Sequence, residues 1–404
     1  MFQTLRPQPA DPLLALIGLF RDDPRAGKMD LGVGTYRDER GNTPVLAVVK
    51  AAERMLLEGQ PTKAYLGPEG DRRFVELLVP VAFGADDAHA GRLVGVQTPG
   101  GSGALRLGAE LIAAARPGAK VWLGTPTWPN HRPVLQSAGL QVVEFRCFDR
   151  AAQALGFDEM LAALSAAEPG DVVLLQGCCN NPTGTDLDPA QWDRVADLLA
   201  ERRLVPFVDL AYQGLGESLD ADAHGTRRVL SRAEEALVAY SCDKNFGLYR
   251  ERTGALFALA RDAESARTVY ANLLVHARVN WSMPPDHGAA AVRLVLESEE
   301  LARAWREELD GMCRRINAVR RALAEADPRL GFLARQRGMF SLLPVSEEQV
   351  AALRRDHAIY MAGSGRINLA GLRTAEADTF VRALAAVGGL PGGAEPARQT
   401  APAH

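Results

Sequence analysis

Six short apolar runs constrain this chain more than any other feature. They are Leu93–Gln97, Lys120–Gly124, Leu140–Phe145, Asp171–Gln176, Leu204–Asp209 and Ala236–Tyr240. Helical stretches fall between several of them. The clearest starts at Asp188-Pro-Ala-Gln191, with a capping residue, a first-turn proline and a glutamine three positions on. Strands alternating with helices of this length predict a parallel sheet with right-handed crossovers. In such a sheet, ligand sites assemble at the carboxyl ends of the strands. Trp128, Asn181, Asp209, Tyr212 and Lys244 all fall there, a recurrence that core packing does not explain.

Two of these strand ends carry recognisable chemistry. Leu93–Gln97 runs into Thr98-Pro-Gly-Gly-Ser-Gly-Ala-Leu-Arg106 and a helix to about Ala115. A glycine-rich turn into a helix offers free N–H groups and the positive end of a dipole to a phosphate. Gly101, Gly103 and Gly108 do not fit the dinucleotide spacing, so one phosphate suits the turn better than a pyrophosphate. Ala236–Tyr240 leads into Ser241-Cys-Asp-Lys244, with Arg252 following. A lysine there, beside hydroxyls and a second cation, suits a Schiff base next to an anion, because burial and neighbouring cations lower an amine's pKa.

Composition narrows the function classes. The 404 residues are 47% hydrophobic and 24% charged, as in ordinary globular proteins, and the length suggests two or three domains, or one large domain with a smaller one attached. A net charge of -4 argues against a general nucleic-acid or anionic-membrane surface. No apolar run reaches membrane-spanning length, and the first residues lack a secretory h-region. Cys147, Cys178, Cys179, Cys242 and Cys313 are odd in number and lack metal-type spacing, which points to reduced thiols in a cytoplasm and no metal.

Elsewhere, residues 10–22 read as an amphipathic helix capped by Asp11, and Met29–Tyr36 as a short strand in which Gly32 and Gly34 permit close backbone approach. Lys63–Gly70 is a turn-rich loop presenting Tyr65. From about Ser298 to Ala326, Leu301, Trp305, Leu309, Met312, Ile316 and Val319 recur at helical spacing and read as core. A smaller α/β segment follows, and residues 388–404 turn to Gly, Ala and Pro, the composition of a disordered tail.

Asn181-Pro-Thr-Gly184, Ser241-Cys-Asp-Lys244 with Arg252, and Ser364-Gly-Arg366 are weak motifs singly. In this order and spacing the chain resembles the class I pyridoxal-phosphate aminotransferases, in their aspartate/aromatic branch, from about Ala10 to Val387. The resemblance implies an α/β protein of PLP fold-type I. A large domain (46–309) would hold a mostly parallel sheet flanked by helices, and 1–45 with 310–387 would form the smaller one. It also implies a cytoplasmic homodimer with shared active sites, exchanging amino groups between aspartate or aromatic amino acids and 2-oxoglutarate. Lys244 becomes the Schiff-base lysine and proton shuttle, and Asp209 the partner of the pyridinium nitrogen. Tyr212 and Asn181 would bond the cofactor's 3′-oxygen, and Trp128 would stack on its ring. Gly101, Ser102, Ser241, Arg252 and the neighbouring subunit's copy of position 65 (Tyr65) would hold the phosphate. Arg366 would fork onto the substrate α-carboxylate, and Arg278, across the dimer interface, onto a side-chain carboxylate. Gly34 would line the substrate pocket.

Five positions depart from that pattern: Gln176, Asn180, Trp281, Met283 and Asp243. The first four bear on substrate choice. Asp243 replaces a phosphate-contacting hydroxyl, and a carboxylate there needs compensation, for which Arg250 or Arg252 is the expected partner. Three rivals are weaker. A β-lyase or decarboxylase of the same fold does not need two carboxylate-binding arginines. A regulator on this fold needs an added DNA-binding domain, whereas the sequence opens on the N-terminal helix. A nicotinamide-dependent dehydrogenase needs other glycine spacing.

Overall fold

The computed structural model describes residues 1–7, 12–84, 89 and 91–390. Its centre is a seven-stranded sheet built from β1 (Leu93–Pro99), β2 (Lys120–Thr125), β3 (Gln141–Arg146), β4 (Val172–Gln176), β5 (Val205–Leu210), β6 (Ala236–Ser241) and β7 (Thr253–Leu259). The spatial order is β1-β7-β6-β5-β4-β2-β3. All pairs are parallel except the two made by β7, which runs antiparallel to both β1 and β6. The six expected strands are present within a residue or two. β7 is an addition: Thr253-Gly-Ala-Leu-Phe-Ala-Leu259 is buried along its whole length, so it lacks the alternation that marks a half-exposed strand.

The antiparallel course of β7 matters for the site. Thr253 pairs with Pro99 and Gly254 with both Thr98 and Ser241, so the amino end of β7 meets the carboxyl ends of β1 and β6. Arg252 therefore arrives beside the glycine turn and the lysine loop. The helix Gly100–Ala115 leaves that turn, and the capping box expected at Asp188 and Gln191 starts the helix Pro189–Glu201.

A second buried cluster joins Met29 and Leu31 to Val319, Leu323, Phe380 and Leu384. Two short sheets frame it: Met29–Asp30 pairs with Ile359–Tyr360, and Phe340–Leu342 with Arg366–Asn368. The strand expected over Met29–Tyr36 is thus two residues long, after which the backbone leaves regular structure. The helix Glu299–Ala326 carries its apolar stripe inward, with Trp305, Leu309, Ile316 and Val319 at 0% exposure. Trp305 stacks on Phe246 at 4.3 Å and donates its indole N–H to the Asn245 carbonyl at 2.8 Å. That contact fixes the backbone immediately after Lys244.

The helix Pro12–Asp22 is present, with Asp11 outside the described residues. Of the expected tail, residues 391–404 lie outside them, while Leu390 is buried in the second cluster. The five cysteines are unpaired. Among the described residues no helix is long and apolar enough to cross a membrane.

Candidate active site

The carboxyl edge of the sheet encloses a cavity of about 250 Å³. Gly34, Gly101 and Ser102 line it, with Trp128, Asn181 and Asp209. Tyr212, Ser241, Lys244 and Arg252 complete the set of expected residues that meet there. Gln176, Asp243 and Tyr249 line it too.

Lys244 ends the β6 loop with its side chain one-fifth exposed, Nζ 3.9 Å from Asp243 Oδ2 and 5.3 Å from the centre of the Tyr212 ring. Burial pushes its amine below the usual lysine range, Arg252 adds to the shift, and the Asp243 and Asp209 carboxylates oppose it. An amine whose proton is held less tightly, in a protected cavity, is better placed to act as a nucleophile and a base.

Asp209, at the end of β5, is buried and accepts from His131 Nε2 at 2.9 Å. His131 Nδ1 meets the Thr127 hydroxyl at 2.7 Å, and that hydroxyl oxygen accepts from Gln176 Nε2 at 3.3 Å. Gln176 is itself oriented by Asn181, donating to its carbonyl at 3.0 Å and accepting from its N–H at 2.8 Å. With Thr127 donating to Nδ1, His131 carries its proton on Nε2 and presents it to Asp209. Asp209 is thereby held as an acceptor facing the cavity. The sequence reading missed His131 and Thr127, although both lie within three residues of Trp128. It flagged Gln176 only as a departure.

Tyr212 and Asn181 are joined by a 3.3 Å hydrogen bond from Asn181 Nδ2 to the phenol oxygen. Burial raises the phenol's pKa, the Asp209 charge adds to that, and the Asn181 bond opposes it. Asn181 Oδ1 accepts from Arg366 Nη1 at 3.3 Å, and Arg366 Nη2 donates to the Gly32 carbonyl at 2.8 Å. The guanidinium also lies 4.6 Å over the Phe340 ring. Arg366 is 6% exposed, its Nε has no partner among the described residues, and none of their carboxylates lies within 4.0 Å of it. It lines an adjoining cleft of about 790 Å³ rather than the lysine cavity itself.

The cradle at the sheet edge fits a phosphate. No side chain caps the helix Gly100–Ala115, so its first N–H groups are free for a ligand. Gly100 has φ +68°, and a Cβ there would lie 2.8 Å from Arg252 Nη2. A Cβ on Gly101 would press on Ser241 at 3.0 Å. Arg252 donates to Asp243 Oδ2 at 2.6 Å, so the expected compensating arginine is Arg252; Arg250 is exposed. Lysine, buried carboxylate and cradle together suit pyridoxal phosphate.

Two expected site residues stand apart, and three of the departing positions lie outside the cavity as well. Tyr65 is 92% exposed, and Arg278 is exposed on the last turn of the helix Ala263–Trp281, flanked by Val275 and Val279 at 62% and 80%. Neither reaches the cavity of its own chain. Asn180 lines a separate internal pocket and bonds Thr183. Met283 offers its sulfur to the Leu66 N–H at 3.0 Å and so braces the loop bearing Tyr65, while Trp281 packs against the cluster that buries the helix Gly100–Ala115.

Comparison with known proteins agrees with this geometry. The family model for aminotransferases of class I and II matches residues 26–384. The chain is 55% identical over 381 residues to a tyrosine aminotransferase of Rhizobium meliloti (strain 1021), covering 93% of this chain and 97% of that one. It is 41% identical over 395 residues to an aspartate aminotransferase of Escherichia coli (strain K12), covering 96% and 100%. The structure of an aromatic-amino-acid aminotransferase from Burkholderia pseudomallei, covalently bound to pyridoxal phosphate, superposes with TM-score 0.93 at 40% identity, covering 96% and 99%. The chain belongs to the class I and II aminotransferases, on fold-type I. It is a pyridoxal-phosphate-dependent aminotransferase.

Proposed function

We propose that this aminotransferase moves the amino group of aspartate or of an aromatic amino acid to 2-oxoglutarate, in two half-reactions at one site. The observation that carries the amino-acid reading is Arg366, a buried cation without a carboxylate partner among the described residues, one hydrogen bond from Asn181 on the wall of the lysine cavity. A planar fork held in that state awaits a carboxylate. The breadth of the substrate reading is supported by the relatives, whose names divide between tyrosine, aromatic-amino-acid and aspartate aminotransferase.

When bound, pyridoxal phosphate supplies an electron sink for charge at the substrate Cα. The residues around it orient and move protons. Lys244 Nζ would anchor the cofactor and is placed to take the Cα proton of the substrate and return it. Asp209, kept as an acceptor by His131, would serve the ring nitrogen. Tyr212 and Asn181 would bond the ring oxygen, and Trp128 would cover the ring. Gly101, Ser102, Ser241 and Arg252 would hold the phosphate. Gly34 walls the substrate side, and Arg366 orients the α-carboxylate.

Tyr65 and Arg278 fit this scheme in a homodimer that shares its sites. Both are exposed, amid exposed Leu66, Val275 and Val279, as residues that serve a second subunit's site would be. There Tyr65 would reach the phosphate and Arg278 a side-chain carboxylate. We assign residues 46–309 to the large domain and 1–45 with 310–387 to the small one, and place the enzyme in the cytoplasm. Half-transamination spectra with aspartate, tyrosine and phenylalanine, compared by kcat/KM, test the reading. Conversion of the bound cofactor by none of the three would overturn it.

A further inference from the structure

Among the described residues Asp243 is the one carboxylate lining the cavity besides Asp209, and it is out of place in an anion cradle. It is 5% exposed. Its Oδ2 is taken by Arg252 at 2.6 Å, and its N–H donates to Ser241 Oγ at 3.2 Å. Its Oδ1 is buried and has no partner among the described residues. That oxygen lies 3.4 Å from where a Cβ on Gly100 would sit, so it points at the glycine turn, and Arg252 Nη2 lies 2.8 Å from the same point. The unsatisfied acceptor and the phosphate cradle share one small volume.

A buried oxygen left without a donor is costly, and native structures supply one. Only a proton donor can satisfy Oδ1, and the group that fills the cradle is itself a cluster of acceptors. The cations facing Asp243 are Arg252 and, more distantly, Lys244; Tyr249 and Cys242 are its neutral titratable neighbours. Arg252 is therefore shared between Asp243 and the ligand. With the helix dipole contributing roughly half a charge, the positive groups fall short of a carboxylate plus a phosphate dianion. One extra proton corrects both the missing donor and the excess charge.

We propose that this cradle holds the cofactor phosphate as its monoanion, with the phosphate hydroxyl donating to Asp243 Oδ1. The inference rests on the reading that Gly101, Ser102, Ser241 and Arg252 form the phosphate site. No bond to phosphorus is made or broken; the proton comes from solution, so binding above the phosphate's second ionisation takes up one proton. Asp243 is a positioning residue that selects the ionisation state of the ligand.

Phosphorus NMR of the reconstituted holoenzyme between pH 6 and 9 reads the ionisation state directly, without reference to turnover. A free phosphate ester loses its second proton near about pH 6. The wild-type resonance is expected to keep the monoanion position to about pH 8, a shift of roughly 100-fold in that equilibrium. In Asp243→Ser and Asp243→Asn, which both offer a donor, it is expected at the dianion position throughout. A dianion signal from wild type at pH 7 would overturn the proposal, as would a monoanion signal that survives in either variant. The wild-type titration decides even where one variant does not fold. Absence of any bound phosphorus signal after reconstitution would instead overturn the underlying cradle reading, and the proposal with it.

Discussion

Replacing Arg366 with methionine separates what that residue contributes to function from what it costs the fold. Its guanidinium is buried with two hydrogen bonds, one of them 3.3 Å long, an unpartnered Nε and no carboxylate within reach among the described residues. Burial pushes its pKa below the usual arginine value, so the charged form is held at a disadvantage. The Phe340 face and the Gly32 carbonyl return part of that, about 2 kcal/mol for the cation–π contact and roughly 1.5–3 kcal/mol for the bond. Desolvating the charge costs several kcal/mol. The two sides nearly cancel, so Arg366→Met should unfold in urea within about 1 kcal/mol of wild type, or later. Catalysis should respond quite differently. Losing a two-bond fork to a carboxylate removes roughly 3–6 kcal/mol, so kcat/KM should fall about 10²- to 10⁴-fold, equally for aspartate and tyrosine. Urea unfolding of the cofactor-free protein and steady-state kinetics on both substrates give the two numbers. A stability loss beyond about 3 kcal/mol, the size expected for breaking a compensated buried charge, would refute the reasoning and make Arg366 a strut.

Three other outcomes follow from the site. Borohydride should fix the cofactor to the peptide bearing Lys244, and Lys244→Ala should still bind cofactor while losing about 10²-fold or more in turnover; label on another lysine sinks the assignment. Arg278→Leu should lower kcat/KM for aspartate by roughly 10- to 100-fold and for phenylalanine far less, since one charge-assisted contact is lost; equal losses would make Arg278 structural. Asp222, buried on the helix Leu219–Arg232, is raised by burial from 3.8 to about 6, against the amide N–H groups of Gly216, Glu217 and Gly214 that it accepts from. Between those values the folded state keeps a proton that the unfolded chain has released, so wild type should lose stability as pH rises from about 4 to 6. The loss is on the order of 3 kcal/mol. Asp222→Asn should lack that slope, and parallel urea midpoints for the two proteins across this range would contradict it.

The sequence made the parallel framework legible because each strand stops at turn residues, and the chemistry sits on those stops. Trp128, Asn181, Asp209, Tyr212 and Lys244 came together as their positions implied. The supports behind them were hidden. His131 touches Asp209 only because β2 and β5 end at one sheet edge, and nothing local to His131 announces an aspartate 78 positions away. The helix Ala263–Trp281 went unread, and with it the place of Arg278 in its last turn. In the proposed homodimer its exposed face and Tyr65 would serve a second subunit's site, a relation that a single chain does not reveal.

The partner of Asp243 shows most clearly what composition and spacing leave undecided. Arg250 and Arg252 stand seven and nine positions on, and distance along the chain ranks Arg250 first. Pairing decided otherwise. Thr253 lies opposite Pro99 and Gly254 opposite Ser241, so the residue just before β7 is pinned beside both the glycine turn and the lysine loop. Arg252 adopts a left-handed backbone there, with φ +53°, and its Nη1 bonds both Asp243 and the Tyr249 carbonyl. Arg250, two residues earlier in the turn, is left exposed to solvent. A register set by seven cross-strand pairs with β1 thus outweighed two residues of sequence proximity.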